Sequence, residues 1–137
     1  MQKKITVLQK KAIRIMSFAD FNAHTSELFK QWEIIKMNDL VDIQNCVLSH
    51  SFINETLPES FKNFFEMCED IYDFETRSSE SHCIWIPRVN TSTYGLNSTA
   101  HHCILTWNKF AHIFDNLHLY SRAELVELLQ TYFINTY

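Results

Sequence analysis

The chain has 137 residues, of which 46% are hydrophobic and 14% aromatic, which is enough apolar material for one folded domain and excludes a disordered chain. A single Gly and two Pro leave few positions for tight turns, which disfavours a many-stranded sandwich and favours helices. The net charge of −4 excludes a generally basic nucleic-acid binder, so any such contact must be local.

Targeting signals give a second set of expectations. The N-terminus has no apolar run of signal-peptide length, and no stretch of 18 apolar residues occurs, so we expect an intracellular protein, nuclear or cytoplasmic, without a membrane partner. The four cysteines stand singly without a C-x-x-C pair, which favours reduced thiols.

Residues 3–16 predict the first helix, which is amphipathic. One side is apolar at helical spacing, with Ile5, Leu8, Ala12, Ile15 and Met16. The other side is basic, with Lys3, Lys4, Lys10, Lys11 and Arg14, and residues 1–16 contain no acid. Two interpretations of the basic side stay open, a solvated outer face and a site for phosphate or a partner.

Two further helices follow along the chain. Thr25 or Ser26 can cap a short second helix, whose apolar side chains are Leu28, Phe29, Trp32 and Ile35. Asn38 or Asp39 can cap a third helix to about Phe52, which is apolar around most of its circumference and is therefore expected to be central and buried.

Residues 56–59 have the form of a capping box with Pro in the first turn, T-L-P-E. Phe61, Phe64, Phe65 and Cys68 then recur at helical spacing, so a fourth helix is predicted. Because acids between residues 66 and 75 oppose the helix dipole, this helix should fray near Asp70.

The last third of the chain mixes one extended segment with two helices. Residues 83–89 are strand-like but contain Pro87, which confines them to a sheet edge or an extended segment, and Asn90 to Gly95 can turn the chain back. A helix is predicted from about Thr99 to Phe110. The final helix opens with a second capping box at residues 121–124 and carries the clearest apolar stripe of the chain, Leu125, Leu128, Leu129, Tyr132 and Phe133.

Catalytic chemistry finds little support in the residues. Zinc ligand types occur at His82, Cys83, His101, His102 and Cys103, with Cys68 and His112 nearby in sequence, but adjacent pairs point their side chains in different directions. Whether these residues converge on a metal stays open, and we predict no cofactor. No local signature marks a nucleophilic cysteine, and one glycine cannot supply a phosphate-binding loop.

Aromatic and basic residues suggest a second place for nucleic acid. Arg77, Trp85, Tyr94 and Trp107 can form a stacking and phosphate surface for a single strand. The alternative is that both tryptophans belong to the core. The acids at residues 66–75 are expected to be a solvated surface rather than a metal site.

Six segments in order carry a family resemblance. They are L-Q-K-K-A-I-R-I-M (8–16), L-F-K-Q-W-E-I-I-K-M-N-D-L (28–40), L-P-E-S-F-K-N-F-F (57–65), T-R-S-S (76–79), N-T-S-T-Y-G (90–95) and W-N (107–108). With them, the chain resembles the C-terminal segment of reverse transcriptases encoded by non-LTR retrotransposons of the LINE, Jockey-like type. The ending Y-F-I-N-T-Y looks like the natural end of such a polyprotein.

The resemblance implies a role without an active site. The family's polymerase uses an aspartate pair in a motif such as F-A-D-D, whereas here Phe18-Ala19-Asp20 is followed by Phe21. We therefore expect one helical domain over residues 1–137, mainly α with five to six helices and a short extended or hairpin segment near 83–95. It would be a non-catalytic accessory domain that supports upstream polymerase domains of the same polyprotein.

Two functional hypotheses remain. In the first, the domain contacts template RNA or target DNA weakly and electrostatically through Lys3, Lys4, Lys10, Lys11, Arg14 and Arg77. In the second, it is a retrotransposon-derived protein-interaction module without nucleic-acid binding, which uses helix 3–16 or the Phe-rich segment 57–68 as its partner surface.

Overall fold

A computed structural model describes residues 2–71 and 82–137. This part of the chain is mainly helical, as predicted. Its six α-helices are α1 (Gln2–Met16), α2 (Ser26–Gln31), α3 (Met37–Ile53), α4 (Cys68–Ile71), α5 (Thr99–Ala111) and α6 (Arg122–Thr136). Within the described ranges, none of these helices is long and apolar enough to cross a membrane.

The chain divides into two compact units. Unit 1 comprises Met1–Ile43 and Val126–Tyr137, and unit 2 comprises Gln44–Leu125. The division falls within α3 and within α6, so each of these helices contributes residues to both units. The single domain expected over residues 1–137 stays a prediction.

Unit 1 has a core of aliphatic and aromatic side chains, Ile13, Phe29, Ile43, Leu129 and Phe133. Tyr137 lies at its edge, where its hydroxyl donates to Asp39 and accepts the Lys36 backbone N–H at 2.8 Å. Burial, followed by the hydrogen bond to Asp39, raises the pKa of Tyr137. The Lys36 ammonium lies 3.7 Å from the centre of the Tyr137 ring. Tyr137, which follows α6, therefore contacts the start of α3.

Polar side chains from elsewhere in unit 1 satisfy the start of α3. The helix begins at Met37, whose N–H donates to Gln9 Oε1 at 2.9 Å, and the preceding Lys36 N–H is bound by Tyr137. A cap by Asn38 or Asp39 was predicted wrongly, because these tertiary partners replace it and Asp39 binds Tyr137 instead.

Unit 2 is built around buried residues of α3 and α5. Its core includes Cys46, Val47, Phe65, Ile84, Cys103, Ile104, Trp107, Phe110, Leu117 and Leu125. The buried Ser49 hydroxyl lies 3.2 Å from both the Asn45 and the Cys103 carbonyl oxygens, which links the two helices. Of the expectation that α3 is central and buried, burial is observed for Cys46, Val47, Ser49 and His50 in this unit and for Ile43 in unit 1.

The predicted capping box of the final helix is confirmed. The Ser121 N–H donates to Glu124 Oε2 at 2.8 Å, and the Glu124 N–H donates to Ser121 Oγ at 3.3 Å. Leu125, Leu129 and Phe133 of its stripe are buried. In α5, Ser98 caps the start by accepting the His101 N–H.

The predicted helix over residues 57–68 is wrong. The segment forms one 3₁₀ turn at Glu59–Phe61, and α4 begins only at Cys68. Thr56, the expected cap, instead donates its N–H and its hydroxyl to the Ser51 carbonyl and so closes the end of α3. Phe65 then packs edge-on against Phe52 at 5.1 Å, a tertiary contact that overrides the local pattern.

Backbone pairing with a distant segment also explains why residues 66–68 do not continue a helix. Met67 and Ile84 form an antiparallel bridge, the Trp85 N–H donates to the Glu66 carbonyl and the Cys68 N–H donates to the Cys83 carbonyl. These bonds occupy groups that a continuous helix would use. The expected extended segment near residues 83–89 is therefore present, as a single bridge rather than a named strand of the described chain.

Candidate nucleic-acid interface

Helix α1 displays the predicted basic residues to solvent. Lys3, Lys4, Lys10 and Lys11, which we call the basic face, are all exposed. Lys10 and Lys11 follow Lys3 and Lys4 by seven residues, about two helical turns, so the four ammonium groups occupy one side of the helix. In the described part of the chain, no carboxylate lies within ion-pair distance of these four lysines, whereas Lys62 and Glu59 pair at 3.1 Å.

The other two predicted contact residues differ from the lysines. Arg14 is half-buried, and its Nε donates to the Ala23 carbonyl at 3.0 Å, which ties the loop after α1 back to the helix. Arg77 lies outside the described residues, as do Asp73 and Glu75 of the expected acidic surface.

A further positive charge lies near the basic face. Lys36 carries a lowered pKa, chiefly because of burial, with a smaller contribution from the charge of Lys10, while Asp39 acts in the opposite direction. The Lys10 charge thus acts on Lys36 in the direction expected for two neighbouring cations, and Asp39 at the start of α3 outweighs it.

The apolar side of α1 also faces solvent, which the sequence did not reveal. We call Ile5, Leu8, Ala12, Ile15 and Met16 the apolar face, and all five are exposed. The inward side is formed instead by Thr6, Gln9 and Ile13, and the Gln9 amide donates to the Ile35 carbonyl at 2.8 Å. Hydrophobic periodicity locates an apolar face, but the hydrogen bonds of Gln9 fix which side turns inward.

More exposed aromatic side chains follow the end of α1. Phe18 and Phe21 are 98% and 78% exposed, and the indole N–H of the half-exposed Trp32 donates to Ser17 Oγ at 2.9 Å. Phe18 has a left-handed backbone, φ 50°, and ends the helix with the Ala19 N–H bound to the Arg14 carbonyl. Glycine usually occupies this position, so no composition signal predicted Phe18 there.

The predicted stacking surface is not assembled as expected. Trp107 is fully buried, and its indole N–H donates to the His82 carbonyl at 2.9 Å, so it belongs to the core. Trp85 is only partly exposed. Trp107 therefore takes no part in a stacking surface, while the side chain of Tyr94 and the whole of Arg77 lie outside the described part of the structure, so their role stays a prediction.

The neighbouring W-N motif has a structural role. The Asn108 amide donates to the Ile84 carbonyl at 2.7 Å, and its oxygen accepts the Ile84 N–H at 2.8 Å. Together with the indole of Trp107, these bonds hold residues 82–84 against α5. Both residues of the motif therefore stabilise unit 2.

The histidines and cysteines of the predicted cluster are spread over buried and exposed positions. Cys83, Cys103 and His101 are buried, and His102 is exposed. Over residues 2–71 and 82–137, no three His, Cys, Asp or Glu side chains are grouped so that they could hold a metal ion. Burial raises the pKa of the Cys103 thiol to about 11, which opposes a nucleophilic role.

A histidine pair lines a cleft of unit 2. The rings of His82 and His118 lie 3.9 Å apart in a cleft of about 770 Å³, which Glu69 and Asp70 also line. Burial lowers the pKa of His118, the charges of His82 and His50 add to this, and Glu69 opposes it.

Comparisons of the chain with models of protein families, with curated proteins and with solved structures found no match in any of the three. The resemblance to LINE-type reverse transcriptases therefore depends on the sequence motifs alone.

Proposed function

We propose that the chain is a non-catalytic accessory domain of a retrotransposon reverse transcriptase, which contacts template RNA or target DNA through the basic face of α1. Lys3, Lys4, Lys10 and Lys11 carry this proposal, because they are exposed and form no ion pair with a carboxylate of residues 2–71 and 82–137. Lysines that have no carboxylate partner can release counterions from phosphates, which is the main source of non-specific affinity.

The proposed contact is weak and independent of sequence. Four lysines on one helix reach phosphate oxygens as point charges, and they carry no planar fork for base recognition. The net charge of −4 opposes binding elsewhere on the chain, so we expect nucleic acid to track the basic face. The upstream polymerase domains would supply the catalytic residues, and this domain would add positioning.

Binding of a labelled 20-nucleotide RNA tests the proposal. Replacing Lys3, Lys4, Lys10 and Lys11 with Gln removes four positive charges and should weaken binding at low salt by at least about tenfold. The substitution should leave the fold intact because all four side chains are exposed, and Gln is a comparable helix former.

A charge-matched control separates a local contact from a general charge effect. It replaces four exposed basic residues of other segments, Lys30, Arg88, Lys109 and Arg122, with Gln. The proposal requires this control to bind much more tightly than the α1 variant. Equal losses in the two variants would show that overall charge, and not the basic face, governs binding.

A further inference from the structure

The apolar face of α1 is an uncovered surface of unusual extent for one helix. Leu8 and Ile15 are 63% and 75% exposed, and Ile5, Ala12 and Met16 adjoin them. From Ile5 to Met16 the face runs for three turns, about 17 Å at 1.5 Å per residue. Contiguous exposed apolar surface of this kind typically marks an interaction site.

The chemistry of this face differs from that of the basic face. Its side chains are aliphatic, so they offer neither a ring for base stacking nor a donor for phosphate. A helix laid along α1 would cover them, because residues at i, i+3, i+4 and i+7 of a partner interdigitate with such a stripe. The face therefore fits a partner helix of three or more turns.

The charges along the borders specify the partner further. Lys4 and Lys11 lie one helical turn before and after Leu8, so they border the apolar face along one edge. The opposite edge is formed by Gln9, which is turned inward. No acid occurs between residues 1 and 19. In helix pairs, charged residues beside the apolar seam favour a partner with opposite charges along the facing edge. Lys4 and Lys11 therefore favour a partner helix with an acidic edge.

A second copy of the chain is a poor occupant of the face. In an antiparallel pair of α1 helices, equivalent edges meet, which would place Lys4 and Lys11 of one copy against those of the other. A parallel pair would set each lysine edge against the Gln9 edge, which is already turned inward. Charge thus disfavours the antiparallel pair, and the inward position of Gln9 disfavours the parallel pair.

An anionic lipid surface is also disfavoured. It would gain from basic residues along both edges, but only one edge of the apolar face carries them. Asp20 lies between Phe18 and Phe21 in sequence and is exposed as they are, and a negatively charged surface would repel its carboxylate.

We propose that the apolar face of α1 docks an amphipathic helix of a partner protein whose flank carries acidic side chains. Lys4 and Lys11 pair with that acidic flank, and Leu8 and Ile15 enter the apolar seam. This docking shares Lys4 and Lys11 with the basic face, whereas its aliphatic side chains take no part in the nucleic-acid contact, so the docking does not depend on nucleic-acid binding.

A designed peptide probes the surface directly. The probe is an 18-residue helix with Leu at i, i+3, i+4 and i+7 and Glu along one flank, and its control carries Lys in place of Glu. We expect the Glu peptide to bind the whole chain at least about tenfold more tightly than the Lys peptide. No binding of the Glu peptide, or equal binding of both, would overturn the proposal.

Two variants assign the binding to the apolar face. The double substitution Leu8→Gln and Ile15→Gln should weaken peptide binding at least about tenfold, since burial of one such side chain already accounts for a tenfold change. Leu119→Gln, at a 72% exposed position of unit 2, is the matched control and should leave it unchanged. Circular dichroism checks that each variant is folded.

Three further measurements distinguish a partner helix from RNA, a second copy of the chain and an anionic lipid surface. RNA binding by the Leu8 and Ile15 variant should be unchanged, because no charge is removed, so failure here and failure of the nucleic-acid proposal are distinguishable. Sedimentation of the wild type should give a monomer, and vesicles containing phosphatidylserine should not bind it. A dimer or vesicle binding that the double substitution abolishes would assign the face to that occupant and overturn the proposal.

Discussion

Replacement of Asn108 by Ala should destabilise the chain strongly, because this side chain satisfies both backbone groups of Ile84. Ile84 is fully buried, and its N–H and carbonyl lie 2.8 and 2.7 Å from the Asn108 amide. Each buried group left without a partner costs about 1–3 kcal/mol. The free energy of unfolding should therefore fall by about 2–5 kcal/mol, a large part of the roughly 5–15 kcal/mol typical of a domain.

Helix propensity works against this expected loss, since Ala favours a helix more than Asn by up to about 0.7 kcal/mol. Urea unfolding followed by circular dichroism measures the change, and Asn63→Ala, at an exposed position, provides the matched control. If Asn108→Ala unfolds within about 0.5 kcal/mol of the wild type, the Asn108 bonds do not hold the extended segment as described.

Three other predictions concern single sites in unit 2. A methyl group at Gly95 would meet the Val89 Cβ at 2.7 Å, so Gly95→Ala should lower the free energy of unfolding by about 1–3 kcal/mol, and an unchanged urea midpoint would contradict this packing. Cys103, with its pKa raised to about 11 by burial, should not react with a thiol reagent at pH 8 until the chain unfolds, as mass spectrometry of the labelled site can show. Hydrogen bonds from Ser121 lower the pKa of Glu124, so its contribution to stability should be present above the unfolded-state pKa and lost as pH falls through the folded-state pKa. An NMR titration in which Ser121→Ala leaves the pKa of Glu124 unchanged would contradict that assignment.

The sequence pattern predicted a helix start correctly where residues close in sequence bind each other. Ser121 and Glu124 form a capping box with each other, so the start of α6 could be read from four residues. The same pattern at residues 56–59 failed, because Thr56 binds the Ser51 carbonyl and residues 66–68 pair with residues 83–85. Both partners come from outside the window in which a capping box is recognised.

The features of the candidate sites also differ in how far the sequence could predict them. Charge density alone identified the lysines of α1 as a solvent-facing group, and their exposure agrees with it. The orientation of α1 could not be predicted, because Gln9 donates a hydrogen bond to the Ile35 carbonyl and accepts one from the Met37 N–H. The burial of Trp107 could not be predicted either, since only the fold shows whether an indole is buried.

The salt dependence of RNA binding tests the central claim most directly. If the four lysines of the basic face each neutralise one phosphate, the slope of log K against log salt should be about −3, from roughly −0.7 per contact on a single strand. Replacing Lys3, Lys4, Lys10 and Lys11 with Gln should bring the slope close to zero. An unchanged slope in that variant, or no RNA binding by the wild type at the lowest salt, would contradict the claim that α1 contacts nucleic acid.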